Sequence, residues 1–151
     1  MSTATVEIRD TVNKLIEACL DGEQGYDAAS EAVNDPDLKN KLLHYSRQRL
    51  EFAGELQRLL ASLGEEPALH GSAAGAMHRG WMNLKKSLTG GSSNAVLAEC
   101  ERGEDSAVAA YRGAMEEPLP ESIRHVIETQ YSGVLQAHAH IRALRDVAKA
   151  S

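Results

Sequence analysis

The strongest constraint on the fold is a set of four long apolar stripes at helical spacing, separated by two short breaks and one long one. In residues 6–33, Val12, Leu15, Ile16, Cys19, Tyr26 and Val33 fall at three- and four-residue steps and share one helix face. Asn34, Asp35 and Pro36 end that stripe. Asp37 is placed to cap a second helix, whose apolar line is Leu38, Leu42, Tyr45, Phe52, Leu56, Leu59 and Leu63 before Gly64. A third stripe starts near Ser92 or Ser93 and runs through Leu97, Cys100, Val108, Tyr111 and Met115, stopping before Pro118. Pro120 opens the fourth, with Ile123, Ile127, Val134, Ile141, Leu144 and Ala148. Apolar residues make up 42% of the chain but aromatics only 4%, so Leu, Ala, Val and Ile must build the core. That composition suits closely packed helices better than a β-sandwich.

The breaks set the connectivity. Short links make antiparallel hairpins of residues 6–63 and 92–149. Residues 64–91 are long enough to run the length of a bundle, and they include "LHGSAAGAMHRGWMNLKKSLTGG". Met77, Trp81, Leu84 and Leu88 mark a short helix there, from about Ser72 to Leu88. Two hairpins joined by one long crossover give an all-α, ferritin-like four-helix bundle, expected as a single domain over residues 1–151.

A formal net charge of −6 opposes general nucleic-acid binding, which needs a basic face. No apolar run reaches membrane-span length, and "MSTATVEIRD" lacks a hydrophobic signal region, so no membrane association and a cytoplasmic location are expected. Two cysteines, Cys19 and Cys100, are too few for a disulfide framework and are expected as buried thiols.

Helices 1 and 3 share a short repeat, "CLDGE" from Cys19 and "CERGE" from Cys100. The second members of the hairpins echo each other more weakly, as Tyr45-Ser46 and Tyr131-Ser132. Extending the apolar stripes through their gaps places Glu23 in line with Cys19 and Tyr26, and Glu104 in line with Cys100 and Tyr111. Arg49 fills the equivalent gap in helix 2, and Gln130 and His138 flank Val134 in helix 4. The expectation is a buried polar layer of Glu23, Tyr26, Arg49, Glu104, Tyr111, Gln130 and His138. The glycine before each Glu would make room for a neighbouring helix or for Arg49.

Di-iron and di-manganese bundles place single Glu residues on two helices and Glu-x-x-His pairs on the other two. Glu23 and Glu104 occupy the single-Glu positions, but the pairs read Arg49-x-x-Phe52 and Leu135-x-x-His138. A guanidinium at Arg49 would sit where a cation must bind. The reading is a degenerate di-metal site replaced by a Glu/Arg/His polar layer, with no cofactor. The alternative is an iron- or manganese-binding oxidoreductase or storage protein using Glu23, Glu104 and His138, with Glu51 or Glu55 recruited from helix 2.

The pieces "DGEQGY", "LQRLLASLGEEP", "GSAAGAMHRGW" and "ECERGEDSAVAAYRGAM", with "LP" and the spaced Gln130, Val134 and His138, span nearly the whole chain. Together they resemble the bacterial ferritin-like family catalogued as domain of unknown function 2383. The resemblance implies the bundle fold and supplies no activity; stress physiology enters only by analogy with fold relatives.

The remaining features point to structure. His44, His70, His78 and His125 lie in different segments, and His138 and His140 fall on different helix faces. Trp81 is expected to anchor the crossover, with Arg79 beside it able to meet an anion or a carboxylate, and Lys85 and Lys86 form a solvated edge. No phosphate-binding glycine loop, nucleophile elbow or Glu-x-x-His occurs. The expected protein is non-enzymatic and structural or interacting, a homo-oligomer and most simply a dimer, with the Ala-, Gly- and Met-rich crossover as a contact surface.

Overall fold

The computed structural model describes residues 3–80 and 92–150, and every regular element in them is a helix. They are α1 (Thr3–Ala32), α2 (Pro36–Ser62), α3 (helical over 73–80), α4 (Ser93–Met115) and α5 (Glu121–Ala150). The expected Trp81, Leu84 and Leu88 face of the crossover helix, and Lys85 and Lys86, lie outside the described residues.

Local chemistry explains the helix ends. Asp35, not Asp37, caps α2: its Oδ1 accepts from the Asp37 N–H at 3.1 Å, with Pro36 at the first helical position. Proline has no N–H to satisfy and its φ is already helical, so the cap falls on the residue before it. At the other end Gly64 adopts φ +77°. The Glu65 N–H then reaches the Leu60 carbonyl and the Gly64 N–H the Ala61 carbonyl, both at 3.0 Å, which satisfies the last turn. Beyond Pro118, Arg124 ties the α4–α5 corner by donating to the carbonyls of Met115 at 2.8 Å and Glu117 at 2.7 Å.

α1 packs on α2 and on α4, α4 packs on α5, and α2 and α5 touch lightly. Cys19 meets Tyr111 while Tyr26 meets Glu104, so residue numbers rise along α1 as they fall along α4. Tyr45 meets His140 while Gln130 meets Glu55, which makes α2 and α5 antiparallel too. With antiparallel hairpins on both sides, this is the arrangement that a single long crossover demands.

The core splits into two apolar clusters. One gathers Val12 to Leu20, Ala53 to Leu60, Ala107 to Ala114 and Ile123 to Val134. The other gathers Tyr26 to Val33, Leu38, Leu42, Val96 to Cys100 and Ile141. In α2 the buried line passes through Ser46, Arg49, Ala53 and Leu60, whereas Leu63 is half-exposed at the helix end. Polar side chains occupy the level between the clusters.

Candidate functional site: a buried polar layer beside a slot

Arg49 rises from α2 into that level and is 1% exposed, as is Glu104 on α4. Its Nη2 donates to Glu104 Oε2 at 2.8 Å, and the Tyr26 hydroxyl donates to Glu104 Oε1 at 2.6 Å. Both carboxylate oxygens are therefore engaged. Arg49 Nε also donates to Gln48 Oε1 at 3.2 Å, and the guanidinium carbon stands 5.7 Å from the centre of the Tyr26 ring. Burial opposes the charge on Arg49, but Glu104 outweighs it and holds the guanidinium protonated. Burial and then Glu104 push the Tyr26 hydroxyl well above its usual pKa, so it stays a donor.

A second chain of bonds crosses the same level. The Tyr111 hydroxyl donates to Gln130 Oε1 at 2.7 Å and lies 3.1 Å from Cys19 Sγ. Gln130 Nε2 donates to Glu55 Oε1 at 2.7 Å and to the Phe52 carbonyl at 3.2 Å. Burial, partly countered by the Tyr111 bond, pushes the Cys19 thiol up to about 11; burial raises Cys100 as well. Both thiols are free and buried.

Of the seven residues placed in the layer from sequence, the structure brings five together: Tyr26, Arg49, Glu104, Tyr111 and Gln130. Glu23 and His138 stand apart from them. Glu23 is half-buried, its carboxyl pKa raised by desolvation and by Asp27 against Arg79, and only its backbone carbonyl meets the interior, accepting from the Ser46 hydroxyl at 2.8 Å. The reason is charge balance. One guanidinium neutralises one carboxylate, and a second buried carboxylate would carry an uncompensated charge costing several kcal/mol. His138 turns outward and meets the exposed Asp105, Nε2 to Oδ1 at 2.7 Å. Glu51 is exposed, while Glu55 serves Gln130.

The Gly-Glu repeat also divides. A Cβ on Gly22 would stand 3.2 Å from Arg49 Cγ and 3.5 Å from its Nη1, so glycine there gives the Arg49 side chain room that any larger residue would narrow. A Cβ on Gly103 would meet nothing within 4 Å.

A di-metal centre does not fit these residues. Glu104 has no free oxygen, the permanent charge of Arg49 lies against it, and the Gln130 amide is spent on Tyr111, Glu55 and the Phe52 carbonyl. Among the described residues, no three His, Cys, Asp or Glu side chains are grouped to hold a metal ion.

Two features had little or no signal in the sequence. Glu99 is 1% exposed, with Oε1 3.6 Å from Arg102 Nη1 and Oε2 4.0 Å from His78 Nδ1. Asp21 accepts from the Ser72 N–H at 2.8 Å and the Ser72 hydroxyl at 2.6 Å, while Ser72 Oγ accepts from the Gly75 N–H at 3.0 Å. A Cβ on Gly71 or Gly75 would fall 2.3 or 2.0 Å from Asp21 Oδ1. The segment "GSAAG" is therefore a clasp that fixes the start of α3 to α1, and the serine three residues before Gly75 was its one legible sign. Arg79, half-buried, adds Nη1 at 3.9 Å from Asp21 Oδ1; Trp81, the other expected anchor, lies outside the described residues.

Between α1, α3 and α4 lies a cavity of about 370 Å³ whose lining includes Tyr26, Arg49 and Glu104. No helix among the described residues is long and apolar enough to cross a membrane.

Comparison with known proteins agrees with this architecture. A solved structure of a Dps1 mutant from Mycobacterium smegmatis superposes with a TM-score of 0.77 at 15% identity, covering 96% of this chain and 99% of that one. At that identity the likeness concerns the fold, which is a ferritin-like four-helix bundle. No curated protein is significantly similar in sequence. The model of the family described as domain of unknown function (DUF2383) matches residues 7–117, and the chain belongs to that family.

Proposed function

We propose that this protein is a non-catalytic ferritin-like bundle that acts as a structural or interaction protein, its mid-bundle site closed by an internal ion pair instead of a metal. The observation that supports this most is Arg49 at 2.8 Å from a carboxylate whose other oxygen is held by Tyr26. A divalent cation entering there would face a fixed positive charge and would have to displace both donors. The interior is thus built for conformational specificity, with the bond chains aligning helices that the apolar clusters alone would let slide.

A bacterial and stress-related setting, which rests on resemblance alone, and a cytoplasmic location, which rests on the sequence pattern, are part of the proposal. So is a homodimer, for which half- or fully exposed Leu50, Leu63, Leu69, Met77 and Val147 offer apolar surface. Sedimentation at micromolar concentration should give twice the 16.3 kDa chain mass, and a clean monomer would remove the dimer. Anaerobic calorimetric titration with Fe(II) and Mn(II), followed by an oxygen-consumption assay, tests the closed site. No saturable binding and no accelerated oxidation are expected. A tight site with turnover would establish the metal-dependent alternative.

A further inference from the structure

The crossover is fixed to the bundle up to Ala68 and is held beyond it without a buried apolar anchor among the described residues. Glu65 is buried with its Oε2 3.9 Å from Arg9 Nη1, the Ala68 N–H donates to Asn13 Oδ1 at 2.7 Å, and the Ala68 carbonyl accepts from Gln57 Nε2 at 2.9 Å. Leu69 and His70 are then exposed. Over 71–80 no residue is buried and none joins either apolar cluster; Met77, the one large apolar side chain there, is 77% exposed. The contacts that fasten this stretch are polar: two bonds from Ser72 to Asp21, Arg79 Nη1 at 3.9 Å from Asp21 Oδ1, and His78 Nδ1 at 4.0 Å from Glu99 Oε2.

The same stretch covers the cavity. Ser72, Ala74, Gly75 and His78 form the crossover side of the 370 Å³ space, against α1 and α4, and Cys100 on α4 lines it. Cys19 does not line it and sits instead in the first apolar cluster, 3.1 Å from the Tyr111 hydroxyl. Both thiols are buried, yet only Cys100 borders the space beneath the crossover. A surface segment with few buried apolar contacts opens locally at a lower free energy than the whole fold does. Opening here breaks the Asp21 bonds and leaves both apolar clusters packed.

We propose that residues 71–80 are a lid, pivoting after Ala68 and latched by Asp21, whose local opening gives access to the cavity and to Cys100 while the bundle stays folded. The lid goes beyond the closed mid-bundle site: a bound metal would overturn that reading and leave the latch intact. The test is labelling of the full chain with N-ethylmaleimide at low reagent concentration, read site by site by peptide mass spectrometry. Each rate is then the opening equilibrium multiplied by the rate of an open thiol. Both thiols should label slowly, with Cys100 at least about tenfold faster than Cys19, and sub-denaturing urea should speed Cys19 far more than Cys100. Ser72→Ala removes a hydrogen bond to a charged acceptor, so it should speed Cys100 by about a further tenfold or more and leave Cys19 unchanged. Asp21→Ala removes the whole latch and should speed Cys100 at least as much. Ser62→Ala, which loses only an exposed bond to the Leu59 carbonyl, should change neither rate. Equal rates at the two thiols in the wild type, an unchanged Cys100 rate in both latch variants, or the same acceleration at both thiols would each overturn the proposal, the last because Ser72 and Asp21 would then be supporting the whole fold.

Discussion

Removing either half of the Arg49–Glu104 pair should damage the protein far more than removing both. In the native structure the two groups are 2% and 1% exposed by side chain and 2.8 Å apart. Arg49→Leu leaves a buried carboxylate with only the Tyr26 hydroxyl, and Glu104→Leu leaves a buried guanidinium with only Gln48. Breaking a buried pair on one side costs about 3–5 kcal/mol, because the remaining charge has lost its hydration and its partner. For a chain of this length each kcal/mol lowers Tm by roughly 2–4 °C, so each single variant should melt roughly 6–20 °C lower. The double variant buries two leucines of moderate size and no charge, and it should recover most of that loss. Urea unfolding followed by circular dichroism, at one fixed protein concentration, reads all four species. Single losses under about 1 kcal/mol, or losses that simply add in the double variant, would refute the claim that the pair holds the layer.

The repeated glycines should respond in opposite ways. Gly103→Ala should stabilise by about 0.5–1 kcal/mol through helix propensity, whereas Gly22→Ala should lose that gain because its Cβ presses on Arg49 Cγ at 3.2 Å; matched thermal melts check both. Gly75→Ala should free the crossover from Asp21, read as faster amide exchange at Ser72 and Gly75 with little change in Tm. Cys19 and Cys100 should label slowly with a thiol reagent in the folded protein, and fast reaction of either would contradict its burial. Cys19 keeps its proton to about pH 11 when folded but releases it near 9 when unfolded, so stability present below pH 9 should fall as pH rises toward 11. Cys19→Ala should flatten that fall by at most about 3 kcal/mol, as measured by unfolding at each pH.

The bundle was legible because its signals are periodic and redundant. Each stripe carries at least five apolar residues, and Pro36, Gly64, Pro118 and Pro120 mark the breaks, so no single misreading changes the topology. The layer was half legible for a physical reason. Helical phase places Glu23 and Glu104 alike, but phase cannot say that one guanidinium admits only one carboxylate. Glu104 took the buried place and Glu23 turned out. His138 was misread in the same way, since Asp105 on the neighbouring helix gave it a partner nearer solvent. Asp21 and Glu99 escaped notice because their surroundings are supplied by the crossover, whose path no periodicity encodes.

The measurement that bears most directly on the closed-site account is the metal content of the protein purified without chelators, read by elemental analysis alongside an Arg49→Glu variant. The account predicts iron, manganese and zinc far below one atom per chain in the natural protein, because the Arg49 guanidinium occupies the cation's place against Glu104. A stoichiometric metal in the natural protein, lost on Glu104→Ala, would contradict it.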